Sequence, residues 1–241
     1  MTDDERGVGT SEELPVDAEA VVEPRRRTLW RELPILIAVA LLVAILVRTF
    51  VFQSFWIPSG SMENTLQRGD RVLVNKLVYD FRDPERGEVI VFKSPMEWRS
   101  DPADEDFIKR VIAIGGDTVS YDADDERLSV NGVEVDETPF LYTDPVTGEH
   151  DTPSKDNYEF TVTVPPGRLW VMGDHRWASG DSRENYIRSG SDVEAATISV
   201  ESVVGNAFLL MWPLPRWDWM DAPEPFEDVP NPNATDASRP R

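Results

Sequence analysis

Phe107-Ile108-Lys109-Arg110-Val111-Ile112-Ala113-Ile114 is an apolar run broken only by one lysine and one arginine. β-Branched and aromatic side chains pack well on a pleated surface and lose rotamer freedom in a helix, so the run reads as a strand. Similar short runs lie on either side of it: Val72-Leu73-Val74, Glu88-Val89-Ile90-Val91-Phe92 after a turn at residues 84–87, Leu169-Trp170-Val171-Met172, and Val203 to Trp212. Turn residues separate them and no strand–helix–strand alternation occurs. The expectation is therefore a mostly β protein of antiparallel sheets rather than a parallel doubly wound sheet. Leu128 to Val135 reads as a hairpin, because Asn131-Gly132 suits the two positive-φ positions of a type I′ turn. The acidic, loop-rich stretch 118–166 around it, with a further strand at Thr161 to Val164, is expected to form an inserted smaller β lobe. That leaves 54–117 and 167–217 for the main β core.

Composition removes several classes of function. The net charge of −21 leaves no clustered basic surface to track phosphates, so no nucleic-acid partner is expected. There are no cysteines, which excludes disulfides, thiolate metal sites and a cysteine nucleophile. His150 and His175 are the only histidines, too few for a three-His zinc site, so neither metal nor cofactor is expected.

Residues 1–24 carry eight acids against Arg6 and few large apolar side chains, and are expected, with the basic stretch to residue 27, to form a disordered tail. Residues 218–241, rich in proline and acids, are expected to form another. Between Arg25-Arg26-Arg27 and Arg48 lies the uncharged run Leu33 to Val47 of 15 residues, which Phe50-Val51-Phe52 resumes. A helix rising ~1.5 Å per residue needs ~20 residues to cross a ~30 Å hydrocarbon core, and Leu33 to Phe52 supplies them if Arg48 snorkels. A transmembrane helix over 28–53 is expected, with Pro34 tolerated in its first turn. Basic residues cluster before the run, so the N-terminus is expected in the cytoplasm and the rest of the chain outside.

Just past that run, Ile57-Pro58-Ser59-Gly60-Ser61-Met62 places two hydroxyls around a glycine. A serine nucleophile needs a base, and Lys109 is the only lysine embedded in a long strand run. Strand alternation sets Ile108 and Arg110 on the face opposite Lys109. The amine either turns inward, where desolvation would lower a pKa that is ~10.4 in water, or lies at a strand edge facing solvent. The strand alone leaves both readings open. The loop Gly173 to Arg183 adds Asp174, Ser179, Asp181 and Arg183, which read equally as turn and capping residues.

Taken together, Ile57 to Met62, Gly69-Asp70-Arg71-Val72-Leu73-Val74-Asn75-Lys76, Phe107 to Ile112 with Gly116-Asp117, and Gly173-Asp174-His175-Arg176 through Gly180-Asp181-Ser182-Arg183 resemble the successive conserved boxes of bacterial type I signal peptidase. The resemblance covers residues 28–215. It implies a Ser–Lys serine endopeptidase in which Ser61 is the nucleophile and Lys109 the general base. Ser59 would donate to the oxyanion, Ser179 would orient the amine, and Asp181 with Arg183 would support the loop. Ile57, Pro58, Met62, Leu66, Phe107 and Ile108 would wall two shallow pockets for small residues at −1 and −3. The implied partners are signal peptides of secreted preproteins, the lipid bilayer and a nearby secretion translocase. The implied location is the plasma membrane, single-pass, with the catalytic domain extracytoplasmic.

The pattern is not complete. His175 and Trp177 stand where Asn and Asp are usual, Ala178 where Asn is common, Asn64 where Pro is frequent, and Gly115 where Pro usually precedes Gly116-Asp117. Three other readings compete with it. One is a Ser-His-Asp hydrolase using His175, which has no visible nucleophile elbow. Another is a catalytically silent, membrane-anchored peptide-binding protein of the same fold. The third is a self-cleaving repressor with Ser–Lys chemistry, opposed by the membrane run.

Overall fold

The strand β4 (Asp106–Ile114) is buried continuously from Lys109 to Ala113. A strand buried on both faces needs cover on both sides, so alternation here puts Lys109 into one packed layer and Arg110 into the other. The computed structural model supplies that cover, and it describes residues 26–154 and 157–232, the side chains of 26–31 and 46–50 excepted. The tail expected before residue 26, Lys155 and residues 233–241 lie outside the described residues.

β4 is flanked by β3 (Val89–Lys93) and β9 (Arg168–Met172), both antiparallel to it. The main sheet continues on either side with β1 (Phe52–Trp56), β2 (Arg71–Asn75), β10 (Ile198–Ser199) and β11 (Val203–Trp212), in the order β1-β2-β11-β3-β4-β9-β10; β12 (Asp218–Trp219) pairs with β11. The long β11 passes between β2 and β3 with breaks in register. Gly205 permits this close passage, since a Cβ there would lie 2.3 Å from the carbonyl oxygen of Asn75.

A second antiparallel sheet is made of β5 (Thr118–Asp122), β6 (Arg127–Val130), β7 (Val133–Glu134) and β8 (Phe160–Thr163), in the order β7-β6-β5-β8. It is inserted between β4 and β9, which are neighbours in the main sheet. The chain leaves through Gly115-Gly116-Asp117, with Gly116 at φ +94°. Asp117, fully buried, pins that exit: both carboxylate oxygens take the Arg86 guanidinium at 2.6 and 2.7 Å, and they also accept from the Ile114 N–H and Asn131 Nδ2. The Asn131-Gly132 turn adopts positive φ at both residues, as a type I′ hairpin requires.

Two expectations need correction. The helix expected over 28–53 is α1 (Arg26–Phe50), and Phe52 already opens β1, whose residues pair with β2 from Phe52↔Asn75 to Trp56↔Arg71. A strand partner satisfies those backbone groups in a way a continued helix would forgo. Among the described residues, no helix is long and apolar enough to cross a membrane. Residues 218–232, expected as part of a loose tail, contain β12 and a 3₁₀ turn at Glu224–Phe226, and bury Phe226 and Val229 in the cluster that holds Phe140, Phe160 and Trp170. Two large apolar side chains supplied enough burial to outweigh the prolines and acids around them. Two short helices, α2 (Ser182–Arg188) and α3 (Val193–Ala196), complete the fold.

Removing one member of a buried, fully bonded ion pair leaves the other charge uncompensated. Asp117→Ala is therefore expected to cost about 3–5 kcal/mol. It should appear as a lower urea midpoint with an unchanged slope.

Candidate active site

The Ser59-Gly60-Ser61 turn is held by its own backbone. Ile57 N–H donates to Asp70 O, Gly69 N–H to Ile57 O, and Glu63 N–H to Gly60 O, while Ile57, Met62 and Leu66 are buried beneath it. This fixes Ser61 where β4 passes. The Lys109 Nζ lies 2.7 Å from Ser61 Oγ and 3.0 Å from Ile108 O. Ser59 Oγ is 3.4 Å from Ser61 Oγ. The inward alternative for Lys109 is the one realised.

Lys109 is 4% exposed. Burial lowers its pKa to about 8, against the opposing pull of the Asp181 and Asp174 carboxylates. At about 8, roughly one amine in ten is neutral at pH 7, where an unperturbed lysine would offer fewer than ~1 in 1,000.

Those carboxylates are themselves restrained. Asp174 takes the Arg110 guanidinium through both oxygens, at 2.9 and 2.6 Å, and also accepts from the Thr65 hydroxyl. The register Arg110↔Met172 makes this possible, since it leaves Asp174 two residues beyond the end of the β4–β9 ladder. Arg176, fully buried, pairs with Glu137 and donates its Nε to Gly173 O. Asp181 caps α2, accepts from Gly173 N–H at 3.1 Å and lies 3.7 Å from Arg183, whose other nitrogens bond Pro153 O and Arg176 O. The expected Asp181–Arg183 pair is present, but the capping bonds are the shorter contacts on Asp181.

Ser179 departs from expectation. Its hydroxyl is buried and, among the described residues, has no hydrogen-bond partner, while Lys109 bonds Ile108 O besides Ser61. The Ser179 side chain instead fills the space beside Gly173, where an added Cβ would lie 2.3 Å from both Ser179 Oγ and Ser61 O. Gly173 is thus a place where the nucleophile's backbone and the loop touch, a role that the residue type alone does not reveal.

Among the expected pocket walls, Ile57, Met62 and Leu66 share one core cluster, with Ile108 packed against it, and Pro58 is exposed. Phe107 belongs to a different cluster, edge-on to Phe92, although its ring also lies 5.6 Å from the Lys109 amine. His175 donates its backbone N–H to Ser61 O at 3.2 Å, while its ring stacks on Tyr142 and places Nδ1 3.2 Å from Glu63. That ring makes no hydrogen bond to the Ser61 hydroxyl, which removes the geometry a Ser-His-Asp reading requires. Among the described residues, no group of three or more His, Asp or Glu side chains is gathered to hold a metal ion. Tyr142, Glu63 and Glu137 escaped sequence reasoning, because nothing local links them to positions a hundred or so or tens of residues away.

The protein-family model described as signal peptidase, peptidase S26, matches residues 30–212. A probable signal peptidase I of Mycobacterium leprae is 36% identical over 86% of this chain and 84% of its own length. Signal peptidase I of Mycobacterium tuberculosis is 38% identical over 80% of this chain and 76% of its own. Signal peptidase I of Pseudomonas aeruginosa is 32% identical over 79% and 73% respectively.

The electrostatics can be read without any reaction. With selectively labelled lysine side chains, the Lys109 ε-carbon resonance is expected to titrate near pH 8, whereas Lys93, bonded to Asp106 and Glu105 at the surface, should titrate above an ordinary lysine. Coincident midpoints would contradict the burial argument.

Proposed function

The chain belongs to the signal peptidase S26 family, a serine peptidase family, and from that premise we propose that it removes signal peptides from exported preproteins by a Ser61/Lys109 acyl-enzyme mechanism. The observation that carries the mechanism is the 2.7 Å approach of a buried lysine amine to the Ser61 hydroxyl. In the neutral form of Lys109, the nitrogen lone pair takes the Ser61 proton as Oγ bonds to the scissile carbonyl carbon, and the carbonyl π pair moves onto oxygen. Ser59 Oγ and the Ser61 backbone N–H are the donors to that oxyanion; a donor of this kind is worth ~10²–10³ in rate. The tetrahedral species then collapses, the ammonium of Lys109 passes its proton to the leaving amine, and an ester on Ser61 is left. Water attacks the ester, Lys109 again takes a proton, and Ser61 departs as the hydroxyl.

The substrate would bind as an added strand. β9 pairs with β4 only from Arg110 onward, so among the described residues Phe107, Ile108 and Lys109 have no strand partner on that edge, beside the nucleophile. Main-chain bonds there would give affinity. The half-buried Ile108, backed by the core cluster of Ile57, Met62 and Leu66, would form a shallow apolar wall that favours small residues at −1 and −3.

Membrane attachment is supported by two features. The run Leu33 to Val47 is uncharged, and within α1 the side chains of Ile35, Leu36 and Ile45 are 60–65% exposed, which lipid would cover. On the main sheet, Trp56, Trp212, Trp217 and Trp219 are all at least half exposed, Trp56 and Trp212 pairing with Arg71 from opposite sides. Tryptophan is favoured at the membrane–water interface, where its ring is apolar and its N–H stays wet. Such a face next to Ile57 would keep Ser61 at the lipid surface, where signal peptides emerge near the secretion translocase.

Cleavage of a preprotein should fall at least about 10³-fold in Ser61→Ala and Lys109→Ala, and the acid limb of kcat/KM should rise through about pH 8, because the reactive amine is the deprotonated one. Full activity in either variant would sink the mechanism. Separately, replacing Trp212 and Trp219 together by serine is expected to weaken sedimentation with anionic lipid vesicles while leaving turnover of a short soluble peptide within about twofold.

A further inference from the structure

The segment 218–232 lies beyond residue 212, where the family match ends, yet its Phe226 is only 5% exposed. The Phe226 ring stacks on Phe140 at 5.9 Å and 25°, and the Arg110 guanidinium sits 4.4 Å from the centre of the Phe140 ring. Phe226 also touches the other support of Arg110. Gly87, at φ +84°, faces it so closely that a Cβ would lie 2.9 Å from the Phe226 ring, and the Gly87 carbonyl accepts from Arg110 at 2.8 Å. One side chain of the C-terminal segment thus backs both the ring and the carbonyl that hold the guanidinium bonded to Asp174. The segment is fastened further on, where Arg86 donates to Val229 O at 3.1 Å and Pro230 O at 3.2 Å, and Asn131 to Pro230 O at 2.9 Å.

We propose that Phe226 is a positioning residue for the reaction: through Phe140 and Gly87 it locks Arg110 onto Asp174, and so sets the charge that Lys109 experiences. The inference rests on Lys109 acting as the base. The charges facing Lys109 are Asp181 at the cap of α2 and Asp174 in the loop, both of which favour the ammonium; Ser61 and the Phe107 ring add no charge. Arg110 neutralises Asp174, and Arg176, held by Glu137, faces both carboxylates. A cavity of ≈ 440 Å³ bordered by Arg110, Phe140, Met220 and Pro223 gives the guanidinium room to turn away if its backing is lost. Asp174 would then be less neutralised, and the ammonium would be favoured.

The test is the pH dependence of peptide cleavage by the full chain, wild type against Phe226→Ala and Phe226→Leu. The acid limb of Phe226→Ala is expected to move up by about half a pH unit, lowering turnover at pH 7 about threefold with KM little changed. Above the limb the variant should match wild type, and Phe226→Leu, which keeps most of the burial, should lie between the two. If Phe226→Ala is too unstable to assay, Phe140→Leu removes the ring beneath Arg110 while keeping the core filled, and the same shift is expected. An unmoved limb with activity lost equally at every pH would mean a merely structural role and overturn the proposal alone. A wild-type profile with no limb near pH 8 would overturn the Lys109 reading, and the proposal with it.

Discussion

The approach of the Lys109 amine to the Ser61 hydroxyl is the contact on which the rest of the structure depends. Neither group is reactive in water, since a serine hydroxyl is a poor nucleophile and a lysine amine is almost wholly protonated. Burying the amine makes its charged form costly, and the pKa falls to about 8. Burial requires β4 to be covered on both faces: Ile112 and Ala113 pack in the cluster that holds the second sheet's Val119, Leu128 and Val162, and Val111 packs in another with Phe92 and Trp98. The same arrangement leaves the N-terminal half of β4, among the described residues, without a strand partner on one edge, so the base sits where an extended peptide can reach it.

A strongly acidic chain places carboxylates close to this amine, and each would work against the lowered pKa. The structure answers with arginines rather than by excluding acids. Asp174 is bonded by Arg110, Glu137 by Arg176 and Asp117 by Arg86. The planar guanidinium engages both carboxylate oxygens at once, which a lysine cannot do, and these pairs sit at the corners where loops enter and leave the sheets. They fix Gly173, the β4 exit and the small sheet in place, and the Arg110 pair cancels the charge of Asp174, which faces Lys109. Asp181 is the exception: its contact with Arg183 is looser, and backbone N–H groups at the start of α2 carry most of its bonding.

Much of this was legible locally. The β character, the Asn131-Gly132 hairpin and the strands at 72–74, 89–92, 107–114, 169–172 and 203–212 follow from side-chain branching and turn chemistry, which act over a few residues. The start of β1 was misread as helix because Phe50-Val51-Phe52 is as apolar as the run before it, and only its ladder with β2 tells the two apart. Order in 218–232 was missed because composition averages over a segment, whereas Phe226 and Val229 are two side chains that happen to meet a core. The pattern links Ser179 to the amine; in the fold the amine bonds Ser61 Oγ and Ile108 O, and the Ser179 hydroxyl, among the described residues, has no hydrogen-bond partner.

The sequence by itself determined the chemical alphabet of the site: a serine turn, a lysine embedded in a long strand run, a Gly-Asp loop, no cysteine and too few histidines for a three-His zinc site. It also determined the β fold class, because strand and turn preferences are short-range. Only the tertiary structure decided that Lys109 faces inward, that Arg110 on the opposite face reaches Asp174, and that Phe226 backs that arginine from far along the chain. The physical reason is that burial, pKa and ion pairing depend on which strands are neighbours and in what register. Register is set by the packing of the whole sheet rather than by any one stretch.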